Sequence, residues 1–391
     1  MKQLLHLTER PFKMVGEEVY SLITVRRGNN GVVSRGRYEG RKVLVKAQFK
    51  VEAGDFVISK RQIVHQACGI VPAELDGAIV SNEYNVFKPS SECCIRYFDY
   101  FCYRPEMRHA FFLSCVGVHL EKMLFRTNDW LKRRFYFPSA AEQRKIAEFL
   151  TAVDVRIQQL SQKKALLEDY KRGVMKQIFT QALRFKDDHG NEFPDWEEKT
   201  LGEVVTSLDA GVSVNSEDAP ASEAEMGILK TSCVTKGMFD PTENKRVTAD
   251  EELVRLKEPV SAGSIIISRM NTPALVGLSG LVPQSYPNLF LPDRLWAAKI
   301  GKGHSPEWTA QLLRTPTMRA LISAKATGTS GSMKNITKGD VLSLPVNLPS
   351  PAEQTKIANF LSALDRKIES VAQQITHTQA FKQGLLQQMF V

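Results

Sequence analysis

The residues of this chain best suited to chemistry are basic side chains and amides near glycine turns. Arg26, Arg27, Arg35, Arg37, Arg41, Lys42 and Lys46 crowd a loop-rich stretch containing Gly28-Asn29-Asn30-Gly31. Guanidinium groups presented in this way can bind phosphates and make bidentate contacts to guanine edges. Lys60, Arg61, Gln62 and His65 follow an apolar run ending at Ser59, and Arg269 and Asn271 follow a similar run ending at Ser268. A basic residue and an amide thus leave the end of the same strand twice, an arrangement fitted to reading bases. Lys230, Ser232, Lys325, Ser330, Lys334 and Asn335 complete the candidate contacts. The last three lie in or beside Gly328-Thr329-Ser330-Gly331-Ser332, a small polar run that can cradle a phosphate through backbone amides. For any one of these residues the plain alternative is a solvated surface charge, so the clusters carry the reading.

Catalytic constellations are missing. The seven histidines are scattered without HExxH or an i, i+4 pair, so no metal site is expected. No GxGxxG, GxSxG or kinase set occurs, no Walker ending follows Gly328, and the Asn/Asp-Pro-Pro motif of amino-methyltransferases is absent. The nearest nuclease-like string is Glu197-Glu198-Lys199 with Asp187, Asp188 or Asp195 upstream, and Pro194-Asp195-Trp196-Glu197 reads better as the lead-in to a domain. The six cysteines include adjacent Cys93 and Cys94 and no CxxC pair, so reduced thiols are expected. The formal charge of +9, from 52 Lys plus Arg against 43 Asp plus Glu, favours a polyanionic partner. No apolar run is long enough for a membrane span or a signal peptide, so a cytoplasmic protein is expected.

The elements that must position these residues come from a repeat. Residues 138–150, Pro-Ser-Ala-Ala-Glu-Gln-Arg-Lys-Ile-Ala-Glu-Phe-Leu, return as Pro-Ser-Pro-Ala-Glu-Gln-Thr-Lys-Ile-Ala-Asn-Phe-Leu at 349–361, and about 18 identities link the full copies 138–179 and 349–390. Fainter matches join Ala53-Gly54-Asp55-Phe56 to Ala262-Gly263-Ser264-Ile265, and Gly69-Ile70-Val71-Pro72 to Gly280-Leu281-Val282-Pro283. In the first copy Ile146, Val153, Leu160, Leu167 and Val174 recur every seven residues, with Leu150, Ile157 and Ile178 on the complementary register. In the second copy the two registers read Ile357, Leu364, Val371 and Leu385, and Leu361, Ile368, Ile375 and Met389. Lys164, Lys171 and Lys382 interrupt the second register. Helices of this length span about 60 Å and cannot bury the stripe alone, so an antiparallel pair with a variable unit at each end is expected. The alternative is two amphipathic core helices of one globular domain. Ser139 with Glu142, and Ser350 with Glu353, have capping-box spacing.

The expected fold is α+β: two mixed α/β domains separated by two long helices packed as an antiparallel coiled coil, with pseudo-two-fold internal repetition. The boundaries read 1–137, 138–185, 186–348 and 349–391.

These residues resemble the specificity subunits of Type I restriction-modification systems over nearly the whole chain. The carriers are the Pro-x-x-x-Glu-Gln-x-x-Ile-Ala-x-Phe-Leu pattern at Pro138 and Pro349, and Trp196-Glu197-Glu198-Lys199-Thr200-Leu201-Gly202-Glu203-Val204, which looks like that family's lead-in to a recognition domain. The first half has no such Trp-Glu segment and by the repeat offset starts about ten residues short, which implies a truncated start or a different subtype. The resemblance implies a non-catalytic subunit in which each target-recognition domain reads one half of a split, asymmetric double-stranded DNA target while the helices set the gap. It also implies two copies of a methyltransferase subunit, which holds S-adenosylmethionine, and a restriction subunit using ATP and Mg; no cofactor is expected in this chain. The competing readings are a free-standing DNA-binding regulator and a self-sufficient DNA-acting enzyme.

Overall fold

The computed structural model describes residues 1–45, 47–330 and 333–390, with 329 and 330 described by backbone alone; Lys46, Gly331, Ser332 and Val391 lie outside the described residues. The chain divides into two compact units, Met1–Gln162 with Ala372–Val391, and Lys163–Val371.

In the first unit the strands are β1 (Leu5–Leu7), β2 (Val19–Val25), β3 (Val32–Glu39), β4 (Gln48–Lys50), β5 (Phe56–Ser59), β6 (Cys68–Ile70), β7 (Ile79–Ser81) and β8 (Tyr84–Pro89). Helices α1 (Ile95–Phe101) and α2 (Pro105–Leu113), a β9–β10 hairpin (Cys115–Val116, Leu124–Phe125) and α3 (Thr127–Leu131) precede α4 (Ala140–Phe179). The second unit holds β11 (Glu197–Thr200), α5 (Leu201–Val204), β12 (Val205–Ala210), β13 (Gly227–Leu229), β14 (Asn244–Arg246), α6 (Asp250–Leu253), β15 (Pro259–Val260), β16 (Ile265–Ser268), β17 (Met270–Asn271), β18 (Ser279–Leu281), β19 (Tyr286–Phe290) and β20 (Leu295–Ile300). It continues through α7 (Pro306–Arg314), α8 (Pro316–Lys325), β21 (Thr327–Ser330), β22 (Met333–Asn335), α9 (Lys338–Leu342) and β23 (Pro345–Leu348) to α10 (Pro351–Gln388).

The repeat reaches into the sheets. Orders β1-β8-β5-β6 and β12-β20-β16-β18 correspond strand for strand, as do β3-β2-β7-β4 and β14-β13-β19-β15, each of the latter pair containing one parallel contact (β2 with β7, β13 with β19). Wholly buried β5 and β16 are the central frame, and continuous apolar runs suit strands covered on both faces. The matched Gly69 and Gly280 have a steric reason. A Cβ at Gly69 would meet Gly31 Cα at 3.0 Å, and one at Gly280 would meet Phe239 N at 2.5 Å, so glycine lets the connection of the second sheet cross each frame at the same place.

Each long helix belongs to both units. The first unit packs the start of α4 with the end of α10: Ala147 and Leu150 share a core with Phe390, and Leu385 and Met389 pack against it. In the second unit, Val174 and Ile178 of α4 share a core with Ile357 and Leu361 of α10. Within each unit the two helical segments run antiparallel. Every seam residue named above is buried or half-buried.

Two of the interrupting lysines form reciprocal ion pairs. Lys171 Nζ donates to both carboxylate oxygens of Asp365 at 2.6 and 2.8 Å, and Lys382 Nζ lies 2.6 Å from Asp154. Gln311 donates to Asp365 at 3.0 Å, and the Tyr100 hydroxyl donates to Asp154 at 2.7 Å. Burial holds the Lys171 ammonium below the usual lysine range, with Arg314 adding repulsion and Asp365 opposing both. Lys164 differs, pairing with Glu168 along its own helix at 2.9 Å.

The Glu-Gln of the repeated motif divides its labour. Gln143 accepts from the Cys94 amide at 2.9 Å and donates to the Pro138 carbonyl at 2.9 Å; Gln354 does the same with Ser305 and Pro349, both at 2.9 Å. Each glutamine therefore ties its long helix to the N-cap of α1 or α7. Only half of each expected capping box forms: Ser139 and Ser350 accept from the Glu142 and Glu353 amides at 3.3 Å. The Glu353 carboxylate instead takes Trp196 Nε1 and Arg184 Nη2, both at 2.9 Å, because these stronger donors reach it in the interior.

Candidate nucleic-acid interface

The basic turn of the first unit is built by left-handed residues. Gly28, Asn29 and Gly31 have φ of 71°, 53° and 73°, values that glycine and asparagine tolerate best. The Gly28 and Asn29 amides donate to the His65 and Gln66 carbonyls at 2.7 and 2.9 Å, and the Tyr103 hydroxyl donates to the Asn29 carbonyl at 3.0 Å. These bonds bring Arg26 and Arg27, at the β2–β3 turn, beside the segment after β5 that carries Lys60, Arg61, Gln62 and His65.

Within that cluster the side chains are not equally available. Arg27 Nη2 lies 2.8 Å and His65 Nε2 3.0 Å from Glu121, in the β9–β10 connection. Arg61 Nε donates to Glu83 at 2.7 Å and Lys60 Nζ to the Asn82 carbonyl at 2.5 Å. Arg26 is exposed and without a side-chain partner among the described residues. Gln62 Oε1 is buried without a hydrogen bond, so a donor arriving there would satisfy a group that is otherwise costly.

Arg35 and Arg37 stand apart, farther along β3. Opposite Leu22 and Ile23 the β3 register skips from Gly36 to Ser34, so Arg35 sits at a bulge. Both arginines are exposed and free of acidic partners among the described residues. They are an electrostatic surface separate from the turn cluster.

In the second unit the small sheet β17-β22-β21 gathers Arg269, Asn271, Lys334 and Asn335, with Asn271 opposite Lys334 and Met270 opposite Asn335. Arg269 lies over the Trp296 ring at 5.6 Å, and Arg269 Nε and Asn335 Oδ1 are buried without hydrogen bonds. Lys325 is exposed at the end of α8, just before β21. The described part of the run expected to cradle phosphate forms strands: Thr327 pairs with Asn335 and Ser330 with Met333. The ladder uses backbone groups that a loop cradle would have offered. The Ser330 side chain lies outside the described residues.

Lys230 and Ser232 lie elsewhere, in the β13–β14 connection that corresponds to the Arg26–Arg27 turn. Lys230 is 3.9 Å from Asp218, and Ser232 donates to Glu243 at 2.5 Å. Sequence reading missed the acidic partners Glu121, Glu83 and Glu243. Glu121 lies 94 residues from Arg27, with no local signal linking them. It also missed exposed Arg294, whose carbonyl accepts from the Arg269 amide at 3.1 Å.

Among the described residues no group of three or more His, Cys, Asp or Glu is placed to hold a metal ion, and no helix is long and apolar enough to cross a membrane.

A family model for the Type I restriction modification DNA specificity domain matches residues 17–169 and 194–377. The chain is similar to the Type I restriction enzyme EcoEI specificity subunit of Escherichia coli, 27% identical over 178 residues, covering 45% of this chain and 30% of that protein. It is also similar to the EcoKI specificity subunit of Escherichia coli strain K12, 27% identical over 263 residues, covering 64% and 54%. The chain thus spans between about a third and a half of the length of these curated relatives. Among solved structures, the Type I restriction-modification S subunit from M. genitalium aligns with a TM-score of 0.58 at 13% identity, over 99% of this chain and 94% of that one. A chain from a structural study of complex assembly and conformational transition of the type I R-M system aligns with a TM-score of 0.56 at 16% identity, over 99% and 97%. These structural likenesses concern the fold.

Proposed function

We propose, from the premise that the chain belongs to the family of Type I restriction modification DNA specificity domains, that it is the non-catalytic DNA-specificity subunit of a Type I restriction-modification complex. Residues 1–137 and 186–348 act as target-recognition domains, each reading one half of a bipartite, asymmetric double-stranded DNA target. The helical regions 138–185 and 349–391 set the gap and dock two methyltransferase subunits. Those partners supply S-adenosylmethionine and the adenine chemistry, and a restriction subunit supplies ATP- and Mg-dependent cleavage; the complex works in the cytoplasm. The observation that carries this reading is one sheet frame built twice with different side chains at the same strand end: Lys60 and Gln62 after β5, Arg269 and Asn271 after β16. A duplicated frame with divergent polar edges suits two different base sequences.

The test is base-resolution adenine methylation in cells carrying this chain with its methyltransferase subunit, against cells carrying that subunit alone. A split motif that appears only with this chain is the expected result. An assembled complex that yields no motif would overturn the specificity role.

A further inference from the structure

The segments that follow β5 and β16 are each tied to a two-stranded hairpin, and at the hairpins the two units diverge. In the first unit β9–β10 is attached by the Phe125 amide, which donates to the Lys60 carbonyl at 2.9 Å; in the second, β21–β22 is attached by the Ile336 amide, which donates to the Arg269 carbonyl at 3.1 Å. The β9–β10 connection carries Val118, Leu120 and Glu121, whereas residues 327–335 include no acidic side chain.

Glu121 is out of place in a basic cluster. Its carboxylate lies 2.8 Å from Arg27 and 3.0 Å from His65. A carboxylate there weakens the attraction for any polyanion, and an ion pair whose side chains are 54% and 59% exposed adds little to folding. Yet the pair is held from both sides. The Gly28 and Asn29 amides fix the turn to His65 and Gln66, and the Arg126 amide closes the hairpin base on the Ser114 carbonyl at 2.7 Å. Val118 and Leu120 are 96% and 48% exposed, apolar area that gains by being covered. Arg27 uses only Nη2 on Glu121, and its other N–H groups have no partner among the described residues; each Glu121 oxygen keeps a lone pair. A fork of donors therefore stands beside an acceptor, both open to solvent.

Resting on the reading of this chain as a DNA-specificity subunit, we propose that the Arg27–Glu121 pair reads one G·C base pair in the major groove. Arg27 donates to guanine O6 and N7, and Glu121 accepts from the N4 amino group of the paired cytosine. The edge of that base pair presents two acceptors and then a donor, the complement of the ion pair. An A·T pair fits worse: a carboxylate at adenine N6 meets the lone pair of N7, and the arginine fork finds a single oxygen, thymine O4, beside a methyl group. The carboxylate thus rejects wrong bases while the arginine selects the right one.

The experiment is base-resolution adenine methylation with the unaltered chain, Glu121→Ala and Glu121→Gln, each with the methyltransferase subunit. The unaltered chain should require G·C at one position of one half-site. Glu121→Ala should lower discrimination there about tenfold, leaving the gap and the other half-site as they were. Glu121→Gln should admit A·T at that position, because an amide offers an acceptor to N6 and a donor to N7. On a non-specific duplex, Glu121→Ala should steepen the salt dependence of binding by the assembled complex, by about 0.9 in log slope, as Arg27 is released to a phosphate. An unchanged motif with both substitutions, relaxation in both half-sites, relaxation at an A·T position, or loss of the whole motif with both would overturn the proposal. A motif missing already with the unaltered chain would instead overturn the specificity role beneath it.

Discussion

Asp365→Ala tests whether the reciprocal Lys–Asp pairs hold the helical segments or merely decorate them. The substitution leaves Lys171 buried, with Gln311 unpaired and Arg314 near enough to repel it. Breaking a buried pair from one side costs about 3–5 kcal/mol, because the remaining charge is uncompensated. Lysine has an escape, since it can lose its proton. Deprotonating a side chain of ordinary pKa near 10.4 at pH 7 costs about 1.4 kcal/mol per pH unit, which caps the penalty at about 4–5 kcal/mol. The sign follows from linkage: the folded variant holds lysine with a depressed pKa and the unfolded chain does not, so its stability rises with pH up to the unfolded pKa. Moving from pH 7 to pH 9 should therefore recover up to about 2.7 kcal/mol. Asp154→Ala in the first unit should cost less, about 1–3 kcal/mol, because Lys382 keeps the Tyr100 and Tyr103 rings at 5.3 and 5.6 Å. The assay is urea denaturation of the full chain at both pH values, with hydrogen exchange along α4 reporting each unit separately. A cost below about 1 kcal/mol for Asp365→Ala, or a cost independent of pH, would refute this account of the buried pair.

Gln354→Ala should destabilise the second unit by about 2–4 kcal/mol, because the Ser305 amide and the Pro349 carbonyl both lose their partner; a change within experimental error in urea denaturation would contradict that. Burial pushes the Asp99 carboxyl up to about 7, with Lys382 and Arg96 pulling it down and Asp154 raising it. A raised folded pKa binds protons that the unfolded chain has released, so this group's stabilisation fades as pH rises from about 4 to about 7. Asp99→Asn should flatten that part of the pH–stability curve, and an unchanged curve would exclude Asp99 as its source. Arg35→Ala with Arg37→Ala should reduce the slope of log affinity for DNA against log salt by about 1.8 if both meet phosphates. Arg26→Ala should reduce it more than Arg27→Ala, because Arg27 is already held by Glu121; equal slopes for all variants would remove these residues from the interface.

What could be read from sequence was whatever packing repeats in order. The seam shows because a helix buries one stripe, and the lysines at 171 and 382 stand out as breaks in it. Their partners do not, since Asp154 and Asp365 look like solvent-facing residues until the antiparallel register is known. Glu142 and Glu353 illustrate the opposite case. Their spacing from serine predicts one capping geometry, yet Glu353 is claimed by Arg184 and Trp196, more than 150 residues away in sequence. Helices α2 and α8 were legible only at their starts, where Pro105 and Pro316 occupy the first turn and proline's missing amide costs nothing. The 328–335 run read as a loop because glycine and serine dominate it; cross-strand pairing with Asn335 overrides that local preference.

The identities retained by the two halves fall where substitution is physically expensive, not where a ligand would be read. A Cβ would crowd the backbone at Gly69 and clash with it at Gly280, Gln143 and Gln354 satisfy buried main-chain groups, and the Lys–Asp pairs put charge in the helix seam. Each holds the frame to a fixed geometry, so the strand end after β5 and after β16 is delivered to the same place in its unit. The side chains there answer to a different constraint. Lys60 and Arg269, or Gln62 and Asn271, keep a kind of chemistry while changing reach and donor geometry, and their neighbours Arg61 and Met270 share nothing. A rigid frame with exchangeable edge residues lets recognition change without refolding. It follows that variants at these edges should leave thermal stability nearly untouched while altering DNA preference, whereas variants at the glutamines and glycines should do the reverse.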